Sequence, residues 1–256
     1  MSTSTSASAD SPKPSAVGDP VAVQERTQWR IDPAGAAYRT RRSFPAGPPN
    51  ATVLLAGPGS VSALDGEGRD DTLLRDLTHR LVADGAQVLT CDMPERDRGR
   101  PADDSDSRAR ADRLGQLLRA HEHLAVGPVT LIGFSLGGQA VLRMLTSGDP
   151  RRTDRVVLVG TVLEEDTFLS SQIETLDLVY GSLDLIGYVA EADDGLPPVA
   201  LTPDMYGKWS AARLIGRHAL DVHVYLFKGL GHTLHPCAAG PVPDPVSALT
   251  ALAAGR

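Results

Sequence analysis

The 256-residue sequence predicts an α/β fold, a mainly parallel twisted sheet with helices on both faces. Three observations carry that prediction. Short runs rich in β-branched residues alternate with helical periods along the chain. Some runs, such as Val156-Val157-Leu158-Val159, are continuously apolar, as strands buried on both faces are. One run, Val129 to Phe134, enters Gly133-Phe134-Ser135-Leu136-Gly137 and opens directly into a helical stretch, Gln139 to Thr146.

Residues 1 to 22 are rich in Ser, Ala, Pro and Thr. They offer too little apolar surface to offset chain entropy and read as a disordered tail, which leaves 23–256 as one domain. Gln28-Trp29-Arg30-Ile31 and Ala37 to Arg41 alternate with period two. They predict two half-exposed antiparallel strands, with Pro33 and Gly35 as turn signals between them. Ala51 to Leu55 is a buried strand ending in Ala56-Gly57-Pro58-Gly59-Ser60. A helix follows from Asp70 to Ala83, with Leu73, Leu74, Leu77, Leu81 and Val82 on one face and Gly85 past its end. Ala86 to Cys91 is the next strand. Its loop mixes Arg96, Arg98 and Arg100 with acids, and the helix near Ser107 to Glu122 continues the mixture with Arg108, Arg110 and Arg113. The interspersed Asp97, Asp103, Asp104, Asp106 and Asp112 predict a solvated mixed-charge surface. Strands follow the Gln139–Thr146 helix at Arg155–Gly160, Leu176–Tyr180 and Val222–Phe227. Helices are expected near 204 to 217, with Trp209 packing on the sheet, and at Val246 to Ala254.

Composition narrows the function. A net charge of -7 and no basic stripe with interleaved aromatics argue against a nucleic-acid role. No run approaches the ~18 apolar residues of a membrane span, and the N-terminus has neither the basic nor the apolar region of a secretory signal. Two cysteines, Cys91 and Cys237, suit a reducing compartment, so a soluble cytoplasmic protein is expected. Cys91, at the end of an apolar strand, reads as a small buried hydrophobe.

The chemistry concentrates around Ser135. A serine on so tight a strand-to-helix turn is forced into strained backbone angles, and glycine on either side removes the Cβ atoms that would crowd it. The turn lifts the serine Oγ clear and aims the first N–H groups of the helix at whatever it attacks. Serine at neutral pH is a weak nucleophile and needs a base. His232, in the glycine-rich bend Gly229-Leu230-Gly231 after a strand, is the candidate. His235 lies three residues on, but no other ligands cluster beside it, and no metal is expected. The other histidines, His79, His121, His123, His218 and His223, read as structural.

With these motifs the chain resembles the α/β-hydrolase superfamily over roughly residues 27 to 254. The superfamily runs nucleophile, acid, histidine in chain order, and here that order is Ser135, Asp184, His232. Asp184 stands in Gly181-Ser182-Leu183-Asp184, the superfamily's Gly-x-x-Asp placement. The superfamily sometimes carries its acid after the preceding strand, where Glu164, Glu165 and Asp166 are the alternatives. The resemblance implies an oxyanion hole built from the Leu136 N–H and an N–H of the loop after the Thr52–Leu55 strand. Leu55-Ala56-Gly57-Pro58-Gly59 is similar to the His-Gly-Gly-Pro-Gly loop of proline iminopeptidases, and in that register Gly57 is the donor. The histidine and first glycine that brace the relatives' loop are Leu55 and Ala56 here. The interval from Gly160 to Leu176 is only about 15 residues, which implies a minimal lid. A larger insertion from Glu191 to Trp209 could form one wall of the site. The expected activity is a serine hydrolase acting on an ester or thioester of a small metabolite, without a cofactor. The alternatives are an acyltransferase or cyclase using the same residues, and a non-catalytic ligand receptor on this fold.

Overall fold

The computed structural model describes residues 22–97, 99–146, 153–163, 173–190, 198–217 and 220–256. The expectations for residues 1–21, for Glu164, Glu165 and Asp166, for His218 and for residues 191–197 lie outside the described residues.

The predicted sheet is present. Strands β1 (Gln24–Ile31), β2 (Ala37–Phe44), β3 (Ala51–Ala56), β4 (Ala86–Cys91), β5 (Val129–Phe134), β6 (Thr153–Val159), β7 (Ile173–Gly181) and β10 (Asp221–Phe227) form one eight-stranded sheet. Its order is β1-β2-β4-β3-β5-β6-β7-β10. The β1–β2 and β2–β4 pairs are antiparallel, and the others are parallel. Two short strands, β8 (Tyr188–Ala190) and β9 (Val199–Leu201), pair antiparallel beside it.

Side chains alternate across the pleat and make two apolar layers. Leu54, Leu131, Val156 and Leu176 face one side, with Leu114 and Leu117 of α2 (Asp104–Ala120), Val141 of α3 (Leu136–Thr146) and Tyr206 of α4 (Pro203–Arg217). Val53, Leu55, Ile132 and Val157 face the other, with Leu77 and Leu81 of α1 (Arg69–Ala83) and Leu249 of α5 (Pro245–Ala253). Trp209 packs against the first layer, as expected. The Asp103 carboxylate caps α2 by accepting from the N–H groups of Ser105 and Asp106, and Asp244 caps α5 in the same way. β7 begins at Ile173, so the β6–β7 connection is shorter than the sequence suggested.

Two expectations are corrected. β1 is exposed along nearly its whole length rather than on one face, with Trp29 at 71% and Ile31 at 70%, because it is an edge strand of the sheet and pairs with β2 alone. The arginines of α2 are not all solvated. Arg108 is exposed and paired with Asp104, but Arg110 and Arg113 are buried. The 3.6-residue period puts positions 107, 110, 114 and 117 on the face that meets the sheet, whatever their charge. Arg113 lies there against the Asp32 carboxylate at 2.7 Å, with its guanidinium 4.7 Å from the centre of the Tyr38 ring.

Candidate active site

The parallel strands end at one edge of the sheet, and the loops after β3, β5, β6, β7 and β10 converge there. This is where open α/β sheets hold their ligands. Ser135 sits between β5 and α3 with φ 51, a left-handed conformation that a side chain adopts only under strain. The turn is as tight as its glycines allow. A Cβ on Gly133 would stand 2.5 Å from the Gly138 Cα, and one on Gly137 would lie 2.5 Å from the Ala56 carbonyl oxygen. The Ser135 N–H donates to the Val159 carbonyl at 2.7 Å, which pins the turn to β6.

His232 Nε2 is 2.7 Å from the Ser135 Oγ, and its Nδ1 is 2.9 Å from Asp184 Oδ2. A carboxylate can only accept, so Nδ1 carries the proton and Nε2 is left to accept from the serine hydroxyl. Gly160, at φ 56, leaves room for the imidazole, because a Cβ there would lie 2.9 Å from Nδ1. The structure therefore joins three of the five residues singled out in the sequence into one chain of hydrogen bonds. Leu136 is the first residue of α3, where a helix leaves its N–H without an intrahelical acceptor. Leu136, Pro58 and Gly59 line the cleft at Ser135, with Arg69, Arg96, Val162 and Ile186 on its walls. Gly57 lies behind the loop, lining a separate cavity with Leu55, Val61 and Leu74.

Four further residues serve this constellation. Tyr188, at the start of β8, is buried and donates its hydroxyl to Asp184 Oδ2 at 2.5 Å, the oxygen that also accepts from the His232 Nδ1–H. The Ile186 N–H donates to Oδ1 at 3.1 Å. Burial pushes the Asp184 carboxyl up, but the hydrogen bonds from His232 and Tyr188 outweigh it and hold the group below its ordinary range. Burial, and then the bond to Asp184, pushes the Tyr188 phenol up, so it stays a donor. Asp70, at the start of α1, accepts from Ser60 at 2.5 Å and from Thr233 at 2.8 Å, tying the loop after β3 to the residue after His232. Arg110, on α2, reaches the loop after β3 from beneath. No sequence motif announces Tyr188 or Asp70, since both act through tertiary neighbours. Burial, and then the Arg69 charge, lowers the pKa of His235, and among the described residues no group of three or more His, Cys, Asp or Glu is placed to hold a metal ion. Cys91 is buried and Cys237 exposed, both as free thiols. Among the described residues no helix is long and apolar enough to cross a membrane.

Comparison with solved structures identifies the architecture as the α/β-hydrolase fold. A dienelactone hydrolase from Anabaena variabilis matches at 18% identity with a TM-score of 0.63, covering 91% of this chain and 96% of that one. A lidless α/β serine hydrolase from Xanthomonas campestris matches at 15% identity and a TM-score of 0.58, over 91% and 93%. An α/β serine hydrolase homologue from Coxiella burnetii matches at 15% identity and 0.58, over 89% and 94%. At these identities the likeness is one of fold. Neither a protein-family model nor a curated protein matches the sequence.

Proposed function

We propose, with the α/β-hydrolase fold as premise, that the protein is a serine hydrolase that cleaves an ester or thioester of a small metabolite through an acyl-enzyme intermediate. The observation that carries this reading is the continuous Ser135–His232–Asp184 chain on a nucleophile held in a strained turn. In the first step His232 Nε2 takes the hydroxyl proton as Ser135 Oγ attacks the substrate carbonyl carbon. Asp184 stabilises the imidazolium that forms. The negative charge on the carbonyl oxygen meets the Leu136 N–H and an N–H of the loop after β3. The intermediate collapses, His232 gives its proton to the departing alcohol or thiol, and the acyl group stays on Ser135. Water, deprotonated by His232, repeats the sequence and releases the acid. The similarity of fold to proteins described as dienelactone hydrolase and lidless serine hydrolase supports hydrolysis of compact substrates at an open site. The two free thiols suit a cytoplasmic setting.

The test is covalent labelling with a fluorophosphonate. Wild-type protein is expected to label once per chain, and Ser135→Ala to lose the label with unchanged far-UV circular dichroism. Undiminished labelling of Ser135→Ala would place the nucleophile elsewhere.

A further inference from the structure

The loop after β3 lacks the histidine and first glycine that brace it in the relatives resembled, having Leu55 and Ala56 instead. A side chain from another element does that work. Arg110 of α2 is 1% exposed, and its guanidinium donates to four backbone carbonyls. Nη1 reaches Gly57 at 3.2 Å and Pro58 at 3.1 Å, while Nη2 reaches Val61 at 3.3 Å and Pro94 at 3.4 Å. Among the described residues no carboxylate is salt-bridged to it, and a cation buried in this way is costly even with the Asp106 charge acting on it. Four charge-assisted bonds offset that cost, and the planar fork of arginine suits several acceptors at fixed angles.

The consequence lies in the peptide planes. No peptide of the described residues is cis, and in a trans peptide the C=O and N–H point to opposite sides. The Pro58 carbonyl is turned to Arg110 and also accepts from the Val61 N–H at 3.0 Å, so the Gly59 N–H faces the other way. Gly59 lines the cleft, and the Leu136 side chain passes 3.5 Å from where its Cβ would be. The Gly57 carbonyl is also turned to Arg110, but the nitrogen of that peptide belongs to Pro58 and carries no hydrogen. Gly57 itself lines the cavity behind the loop.

We propose that Gly59, rather than Gly57, supplies the loop's N–H to the oxyanion opposite Leu136, and that Arg110 is the positioning residue that sets this peptide. The assignment rests on the serine-hydrolase reading of Ser135. It is tested in the full chain by replacing single backbone amides with esters, using glycolic acid for glycine at 59 or at 57, alongside Arg110→Lys. The readouts are kcat and KM for nitrophenyl acetate and the rate constant of fluorophosphonate labelling. The ester at 59 should lower kcat roughly 10²- to 10³-fold, as loss of one oxyanion donor does, with KM unchanged within about twofold and labelling slowed in parallel. The ester at 57 should leave kcat within about threefold. Arg110→Lys should lower kcat about tenfold at unchanged KM, a split that general loosening of the fold would not produce. A silent ester at 59, or a loss confined to 57, overturns the donor assignment, and wild-type kcat in Arg110→Lys overturns the positioning role. Ser135→Ala measured in parallel separates the two levels. If it keeps its activity, the reading of the site fails. If it is inactive while the ester at 59 is silent, only the oxyanion assignment fails.

Discussion

Tyr188→Phe removes one hydroxyl and leaves the ring in place. The ring stacks on Tyr206 at 4.5 Å and meets the edge of Tyr180 at 5.4 Å, so no cavity opens. What is lost is one of three donors to Asp184, leaving His232 and the Ile186 N–H. At 2.5 Å the Tyr188 bond is in the range of an O–H···O⁻ bond to a charged acceptor. Such a bond contributes about 1.5–3 kcal/mol. At about 2–4 °C per kcal/mol for a domain of this size, Tm at pH 7 should fall by about 3–12 °C. The pH dependence gives the sharper signature. Asp184 is held below its ordinary value of 3.8 in the folded state, partly by Tyr188. A depressed carboxyl contributes stability that is complete above its unfolded pKa and is lost as pH falls through the folded one, because the unfolded chain binds the proton first. The variant has less of this contribution to lose. The gap between wild type and Tyr188→Phe in urea unfolding should therefore be widest at pH 6 to 7 and should narrow as pH falls through the folded pKa of Asp184 in the variant, which NMR titration of that carboxyl locates. An Asp184 that titrates at the same pH in both proteins would refute a charge-assisted bond, and no gap at any pH would refute the bond itself.

Other outcomes follow from the same geometry. Asp184→Asn should lower kcat roughly 10⁴-fold, because an amide leaves the imidazole in the wrong tautomer; steady-state kinetics on a nitrophenyl ester measures it. Asp32→Ala strands the buried Arg113 guanidinium and should cost about 3–5 kcal/mol in urea unfolding, with kcat little changed in the fraction that remains folded. A nitrophenyl ester series tests the open site. Each methylene that finds an apolar wall contributes ~0.8 kcal/mol, so a deep acyl tunnel would show kcat/KM climbing from acetyl to palmitoyl, whereas this cleft should give a flat or falling profile beyond short chains.

What could be read from the sequence was what is encoded locally. The turn at Ser135 is legible because its glycines sit two residues either side of the serine and its strand and helix adjoin it. His232 and Asp184 are legible because each follows its own apolar strand. Arg110 was misread because alternating Arg and Asp on a helix usually marks a wet face. Only the packing of α2 against the sheet decides which positions go under. Tyr188 was invisible for a different reason. It begins a three-residue strand, too short for any periodicity to register, and its partner is the carboxylate four residues earlier. At the loop after β3 two kinds of information part. Sliding the loop onto its relatives selects Gly57, while the proposal of Gly59 draws on the direction of two carbonyls, which no alignment contains.

The φ of 51 at Ser135 has a consequence for how this molecule can change. A non-glycine residue held there costs about 1–2 kcal/mol, in a domain whose whole margin against unfolding is of the order of 5–15 kcal/mol. Glycine at the same position would relax the turn at once, but it would remove the hydroxyl on which the proposed mechanism depends. Gains in durability that keep that hydroxyl have to come from elsewhere in the chain.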